Sequence, residues 1–275
     1  MTKLSFPTVL AAGLLVGISG LGCTQYTPSP APGLSKPRTL MLVVAHPDDE
    51  SMMAPMLAKL ARRGHTVQVV IATDGKYGTR VTDVPEGDEL GRLRRNESDC
   101  AAAKLGIPRP TYLGIDRLDT RNGVRPYLEG RKVLLAALKR HLAAINPDAL
   151  LTFGPDGEYG HSEHIVIGAA VTELLLKDGA AERYPLYYFA WTKEQVSDDD
   201  DLGYVDSRYL TSKLRFTDED ERKSFEAAEC YTTQMTRDEI DEVIRRESAD
   251  KSNTFYFRKF WVGSAEIPGD DFETW

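Results

Sequence analysis

Residues 38 to 72 constrain the fold more than any other stretch, because two apolar, β-branched runs bracket one helical segment within about 35 positions. Arg38 to Ala45 reads as a strand, Ser51 to Arg63 repeats Met and Leu at helical spacing, Gly64-His65 stops the helix, and Thr66 to Ala72 reads as a second buried strand. Two strands joined through a helix are parallel neighbours with a right-handed crossover by default. A chain built this way is α/β, expected as a single Rossmann-like three-layer domain with a mostly parallel sheet.

The same alternation continues. Glu89 to Leu105 has helical composition with Leu90, Leu93, Cys100, Ala101 and Leu105 on its expected buried side and Gly106 as its stop. Thr111 to Gly114 reads as a short strand, Pro126 opens a helix to about Ala144, and Ala149 to Phe153 reads as a fourth strand. An apolar helix to about Leu176 and a fifth strand over Leu186 to Trp191 follow. Thr217 and Thr236 have the character of N-caps, Glu239 completing a capping box with Thr236, which predicts helices near 218 to 230 and 237 to 249. Aromatic alternation over Thr254 to Val262 predicts a last strand on an edge. The polar segment Lys76 to Asp88 has no apolar period and is long enough to line a site.

The first residues stand apart. Lys3 precedes an apolar stretch, Leu10 to Gly22, too short and too Gly-rich for a stable membrane span, so residues 1 to 22 read as an export signal. It ends at Gly20-Leu21-Gly22-Cys23, which resembles the bacterial lipobox with its usual Leu displaced by one place, and Cys23 is the expected lipid acceptor. Ordinary signal cleavage after small residues is the competing reading. Residues 23 to 37 hold Pro28, Pro30, Pro32 and Pro37 and almost no large apolar side chain, the composition of a disordered tether. Residues 38 to 275 make the domain, which would face the periplasm or cell exterior. Cys100 and Cys230 permit one disulfide, with buried free thiols equally compatible. A formal net charge of -8 excludes the basic footprint of a nucleic-acid binder, and the acidic runs Asp198 to Asp201 and Asp218 to Glu221 read as solvated loop and helix-start residues.

Two strand-to-helix junctions carry the chemistry. The first is Ala45-His46-Pro47-Asp48-Asp49-Glu50 and the second is Tyr159-Gly160-His161-Ser162-Glu163-His164. Ligands of open α/β sheets bind at the carboxyl ends of strands, where both junctions are expected. Two histidines and one Asp drawn from them would make a three-ligand site that leaves positions open for water and substrate, as a catalytic zinc needs. His46 and Asp49 can converge on one turn, leaving Asp48 as a general base. Of His161 and His164, one can bind metal while the other faces substrate, and Glu163 can fix an imidazole's protonation state. Each residue taken singly has a bland alternative: a lone turn His is usually structural, and an Asp before a helix is usually an N-cap. Three of the five histidines fall in these junctions, while His65 and His141 read as solvated, a distribution that favours one metal over two.

These motifs, with Thr73-Asp74-Gly75 and Arg94 to Glu97 followed by Leu105-Gly106, resemble the PIG-L/LmbE family of metal-dependent N-deacetylases from about Arg38 to Leu176. The resemblance implies His46, Asp49 and His164 as ligands of Zn²⁺ or another divalent metal, and Asp48 as general base. It implies that His161 stabilises the oxyanion or assists the leaving amine, and that Arg94 and Tyr159 face substrate. The family's second motif usually reads His-Pro-Asp-His; Ser162-Glu163 stands here in place of Pro-Asp, with Glu163 expected to orient His161 from one methylene further away. The implied activity is removal of an N-acetyl group from an N-acetylglucosamine-type sugar or glycoconjugate, with membrane contact through a Cys23 lipid alone. An amidase taking a larger acyl group and a non-catalytic carbohydrate-binding lipoprotein are the alternatives. Residues after about Pro185 add no motif.

Overall fold

The computed structural model describes residues 36 to 196, 202 to 249 and 251 to 260. The expected signal, Cys23, the tether up to residue 35, the acidic run Asp198 to Asp201 and the last residues of the expected C-terminal strand lie outside the described residues.

A seven-stranded sheet organises the domain in the order β3-β2-β1-β4-β5-β7-β6. Strands β1 (Thr39–Val44), β2 (Thr66–Thr73), β3 (Thr111–Ile115), β4 (Ala149–Thr152) and β5 (Leu186–Ala190) run parallel. β1 sits between β2 and β4 and is covered on both faces, which is why its sequence is continuously apolar rather than alternating. Leu42, Val43 and Val44 are fully buried, each contributing about 1.5–3 kcal/mol of transfer free energy. Helices α1 (Ala54–Arg62) and α2 (Asp88–Leu105) pack with α6 (Asp218–Ala228), whereas α3 (Val124–Ile145) packs with α5 (Ser162–Lys177), so helices flank the sheet. α4 is a single distorted turn, Gly157–Gly160, and α7 spans Arg237–Ala249.

Most boundaries follow the sequence, and the departures have local causes. A 3-10 turn, Asp49–Met53, precedes α1 because Pro55 fits the first turn of an α-helix but cannot donate within one. α3 begins at Val124 rather than Pro126, since a helix's first turn leaves its N–H groups unpaired and tolerates proline at several places. α2 ends as expected, on Gly106 in the left-handed conformation.

The far side of the sheet differs from expectation. β7 (Thr254–Lys259) is not an edge strand: it pairs antiparallel with β5 and with β6 (Ser212–Arg215), which is the edge. β6 has one apolar residue in four, too little signal to read. Asp220 and Glu221 are buried rather than solvated; Asp220 accepts from Arg62 Nε at 2.8 Å and forms a capping box with Thr217. His65 is half-buried in its turn, with Nδ1 accepting the backbone N–H of Arg38 at 3.1 Å.

Cys100 lies on the exposed side of α2 and is bonded to Cys230, just beyond α6. The free-thiol alternative is thereby removed. The crosslink spans 130 positions and fastens the loop after α6 to α2. Replacing Cys230 with Ser should lower stability by about 2–5 kcal/mol, since a long loop regains its freedom in the unfolded chain; thermal unfolding of both forms checks this, and an unchanged midpoint would contradict it.

Candidate active site

The strand order reverses direction at β1 and β4, so the loops leaving these two adjacent parallel strands open at the same end of the sheet. Residues more than a hundred positions apart therefore meet. Asp49 is the hinge of the arrangement. Its Oδ2 accepts the backbone N–H groups of Ala45 and His46, both at 2.8 Å, which locks the turn after β1. Its Oδ1 lies 3.4 Å from His46 Nδ1 and 3.2 Å from His164 Nε2. The N-cap reading for Asp48 and Asp49 is excluded, since neither side chain caps the turn that follows.

His46, His161 and His164 each offer a ring nitrogen within 4.8 Å of the others. Phe153, at the end of β4, stacks on His164 with ring centroids 3.9 Å apart and planes 5° from parallel. Glu163 contacts a different partner from the one expected. Its Oε2 is 2.7 Å from His46 Nε2, and its Oε1 accepts the backbone N–H of Leu118 at 2.6 Å. The Glu163 carboxylate thus meets the imidazole of the other junction.

The donor set fits a divalent cation. Asp49 Oδ1, His46 Nδ1 and His164 Nε2 converge, and a hard carboxylate with two imidazoles is zinc-type chemistry. Burial alone would lower His46, but the Asp49 carboxylate and then Glu163 overcome this and push it up to about 10. Asp49 is held well below the usual carboxylate range, because both imidazoles outweigh its burial. Glu163 is drawn down to about 2 against its burial by His46 and by the Leu118 N–H.

Asp48 stands apart from this cluster. Its backbone has φ 120°, a region that costs a non-glycine residue about 1–3 kcal/mol, and its Oδ1 accepts from Arg94 Nη2 at 2.9 Å. Burial raises its pKa, while the Arg94 guanidinium opposes the rise. Arg94 is itself buried and also donates to the carbonyls of Pro47, at 2.8 Å, and Gly75, at 2.7 Å. Gly75 is required here, since a Cβ would collide with the guanidinium. Arg94 therefore touches Asp48, and Glu97, one turn further along α2, binds Thr232 and Thr233. His161 is half-buried, and burial with the neighbouring His46 and His164 lowers it to about 4. Tyr159 is 47% exposed and stands edge-on to His161 and His164.

A cleft of about 400 Å³ opens over these groups, lined by His46, Asp48, Arg94, Tyr159, His161 and Glu163 among others. The loop after β2 contributes Tyr77, Gly78 and Arg80, as its polarity suggested, and Arg80 is anchored to Glu239 on α7 at 2.6 Å. Gln234 and Met235 supply part of the wall from the region that carried no motif. Tyr231, fully buried in that region, donates to Glu50 Oε1 at 2.9 Å, and Glu50 accepts the Asp48 N–H at 3.1 Å and the Ser98 hydroxyl. Burial raises Glu50 to about 7. No sequence signal marked Tyr231, because a lone tyrosine beyond a helix has no characteristic spacing.

Comparison with known proteins matches residues 41–175 to the family model described as PIG-L, GlcNAc-PI de-N-acetylase. A 1D-myo-inositol 2-acetamido-2-deoxy-alpha-D-glucopyranoside deacetylase of Mycolicibacterium gilvum is 32% identical over 177 residues, 57% of this chain and 60% of that protein, so the chain spans about three fifths of that relative's length. Among solved structures, N,N'-diacetylchitobiose deacetylase from Pyrococcus horikoshii superposes with TM-score 0.58 at 20% identity, covering 81% of this chain and 84% of that one. A 4-carboxy-2-hydroxymuconate hydratase from Pseudomonas putida superposes with TM-score 0.57 at 16% identity, covering 84% and 99%. Structural likeness at these identities shows the fold alone, and the hydratase illustrates that the fold hosts more than one reaction.

The neighbouring Asp49 and Glu163 carboxylates favour a proton on His46, and divalent metal binding through its Nδ1 would compete with that proton. Zinc affinity of the chain should rise with pH from about 6 toward 10, by up to about tenfold per unit. A chelator-competition titration at several pH values checks this; a flat profile would contradict it.

Proposed function

We propose, from the match of residues 41–175 to the PIG-L family, that this chain is a zinc-dependent N-deacetylase acting on an acetamido sugar. The observation that carries the reading is the convergence of His46, Asp49 and His164 beside an Asp48 that is held by Arg94 and takes no part in their cluster. In this reading His46 Nδ1, Asp49 Oδ1 and His164 Nε2 hold the divalent ion. When bound, such an ion supplies Lewis acidity, polarising the amide carbonyl and easing deprotonation of water.

Asp48 takes the proton from the attacking water. Its burial raises its basicity and Arg94 keeps it ionised, the compromise a general base needs near neutral pH. His161, lowered to about 4 and hence neutral, donates a hydrogen bond to the carbonyl oxygen as that oxygen gains charge. Water adds to the carbonyl carbon, Asp48 passes the captured proton to the amide nitrogen, the carbon–nitrogen bond breaks, and acetate and the amine leave. Tyr159 and the Arg94 region border the sugar. Glu163 orients His46 from behind.

The cleft favours a short acyl group. Met235 is the one aliphatic side chain among its lining residues, and a long acyl chain would meet Arg80, Arg94, Asp116 and Arg117 instead of an apolar slot. An N-acetylglucosamine-type glycan or glycoconjugate of the cell envelope is therefore the proposed substrate, in preference to a longer-acyl conjugate. The general-base geometry of Asp48 speaks against a purely carbohydrate-binding role.

Residues 1 to 22 are proposed as signal, 23 to 37 as tether and 38 to 275 as the catalytic domain, with Cys23 as lipid acceptor. The Cys100–Cys230 bond supports export, since disulfides persist in oxidising compartments. Among the described residues no helix is long and apolar enough to cross a membrane.

Asp48→Asn should retain zinc and lose about 10²–10⁴-fold in turnover, whereas His164→Ala should lose the metal. Acetate release from N-acetylglucosamine oligomers, with metal analysis of each variant, checks both; full activity in the Asp48 variant would remove the mechanism. Cys23→Ser should shift the protein from the membrane to the soluble fraction, and an unchanged distribution would remove the lipid anchor.

A further inference from the structure

Glu163 lies behind His46, but His164 lacks an equivalent hydrogen bond. Among the described residues, five buried side-chain polar atoms have no hydrogen-bond partner: Arg94 Nε, Glu158 Oε2, His161 Nδ1, His164 Nδ1 and Trp191 Nε1. Three of these gather around one carboxylate. Glu158 Oε2 lies 3.9 Å from His164 Nδ1, with the two side chains 5% and 2% exposed. The Trp191 indole N–H lies against the same carboxylate, close enough to stabilise its charge but outside a well-formed hydrogen bond.

A carboxylate is costly to bury without partners, and this one is held in place by the backbone. Glu158 has φ 70° and ψ -66°, a conformation that non-glycine residues rarely adopt, and its carbonyl accepts the N–H of Gly203. Its carboxylate is on the wrong side of the ring to share an ion with Asp49, which faces the opposite nitrogen, Nε2. An imidazole that gives Nε2 to a cation must carry its proton on Nδ1, the nitrogen Glu158 faces.

We propose that Glu158 is a positioning residue for His164: its carboxylate accepts a hydrogen bond from Nδ1–H, fixes the tautomer that presents the Nε2 lone pair, and is steadied by the Trp191 indole. The two imidazoles read as metal ligands then have matching arrangements, Glu163 behind His46 and Glu158 behind His164. This rests on the reading that His164 is a metal ligand. It places a carboxylate from the turn before the second motif in the support of that motif.

The test is zinc affinity of the purified full-length chain, measured by competition with a chromophoric chelator, with thermal unfolding of each variant alongside. Glu158→Ala should bind zinc about 10–100-fold more weakly than the parent, the usual cost of removing a carboxylate behind a metal-bound histidine. Glu158→Gln, isosteric and still able to accept through its amide oxygen, should recover part of that loss. In the zinc-loaded parent the His164 Nδ1 proton should give a slowly exchanging NMR signal, and that signal should be lost in Glu158→Ala. Parent-like affinity and a retained signal in both variants would overturn the proposal while leaving the metal site intact. If His164→Ala binds zinc as tightly as the parent, the ligand reading itself falls, and this proposal with it.

Discussion

The structure depends on what one buried carboxylate does with its two oxygens. Asp49 spends Oδ2 on the backbone N–H groups of Ala45 and His46, fixing the turn that leaves β1, and turns Oδ1 toward His46 and His164. One side chain thus joins local turn geometry to a contact across 115 positions. The contact is possible because β1 and β4 are hydrogen-bonded neighbours pointing the same way. Had the second junction followed an antiparallel strand, its histidines would have emerged at the opposite end of the sheet.

Much of this was legible before any coordinates. The βαβ rhythm, the Gly106 stop and the placement of two histidine-bearing turns at strand ends follow from periodicity and from stop signals, which act locally. What was not legible depends on distance. Glu163 is one residue from Ser162 and adjacent to His164, yet its hydrogen bond reaches His46 in the other junction. Asp220 belongs to an acidic run that looks solvated, and its burial follows from Arg62 on a helix 158 positions earlier. β6 is short and almost without apolar residues, and exists because β7 offers it a ladder of backbone partners. Such features come from tertiary pairing, which leaves no period in the sequence.

The site also shows how charges are kept in a dry place. Asp48, Asp49, Glu50 and Glu163 lie close together, and each has its own compensation: Arg94 for Asp48, two imidazoles for Asp49, hydroxyls of Ser98 and Tyr231 for Glu50, and His46 with a backbone N–H for Glu163. Separate partners let neighbouring carboxylates differ in proton affinity, which is how one pocket can hold both a cation ligand and a base.

Tyr231, Gln234 and Met235 lie outside the stretch that matches the family, yet one supports the 46 to 50 turn and two form part of the cleft wall. The Cys100–Cys230 bond fastens that excursion to α2 immediately beside them. The reactive groups and one part of the enclosing wall are thus written in separate parts of the gene, joined by a covalent rivet. Such a layout lets that part of the wall change shape without altering the residues of the hydrolytic half.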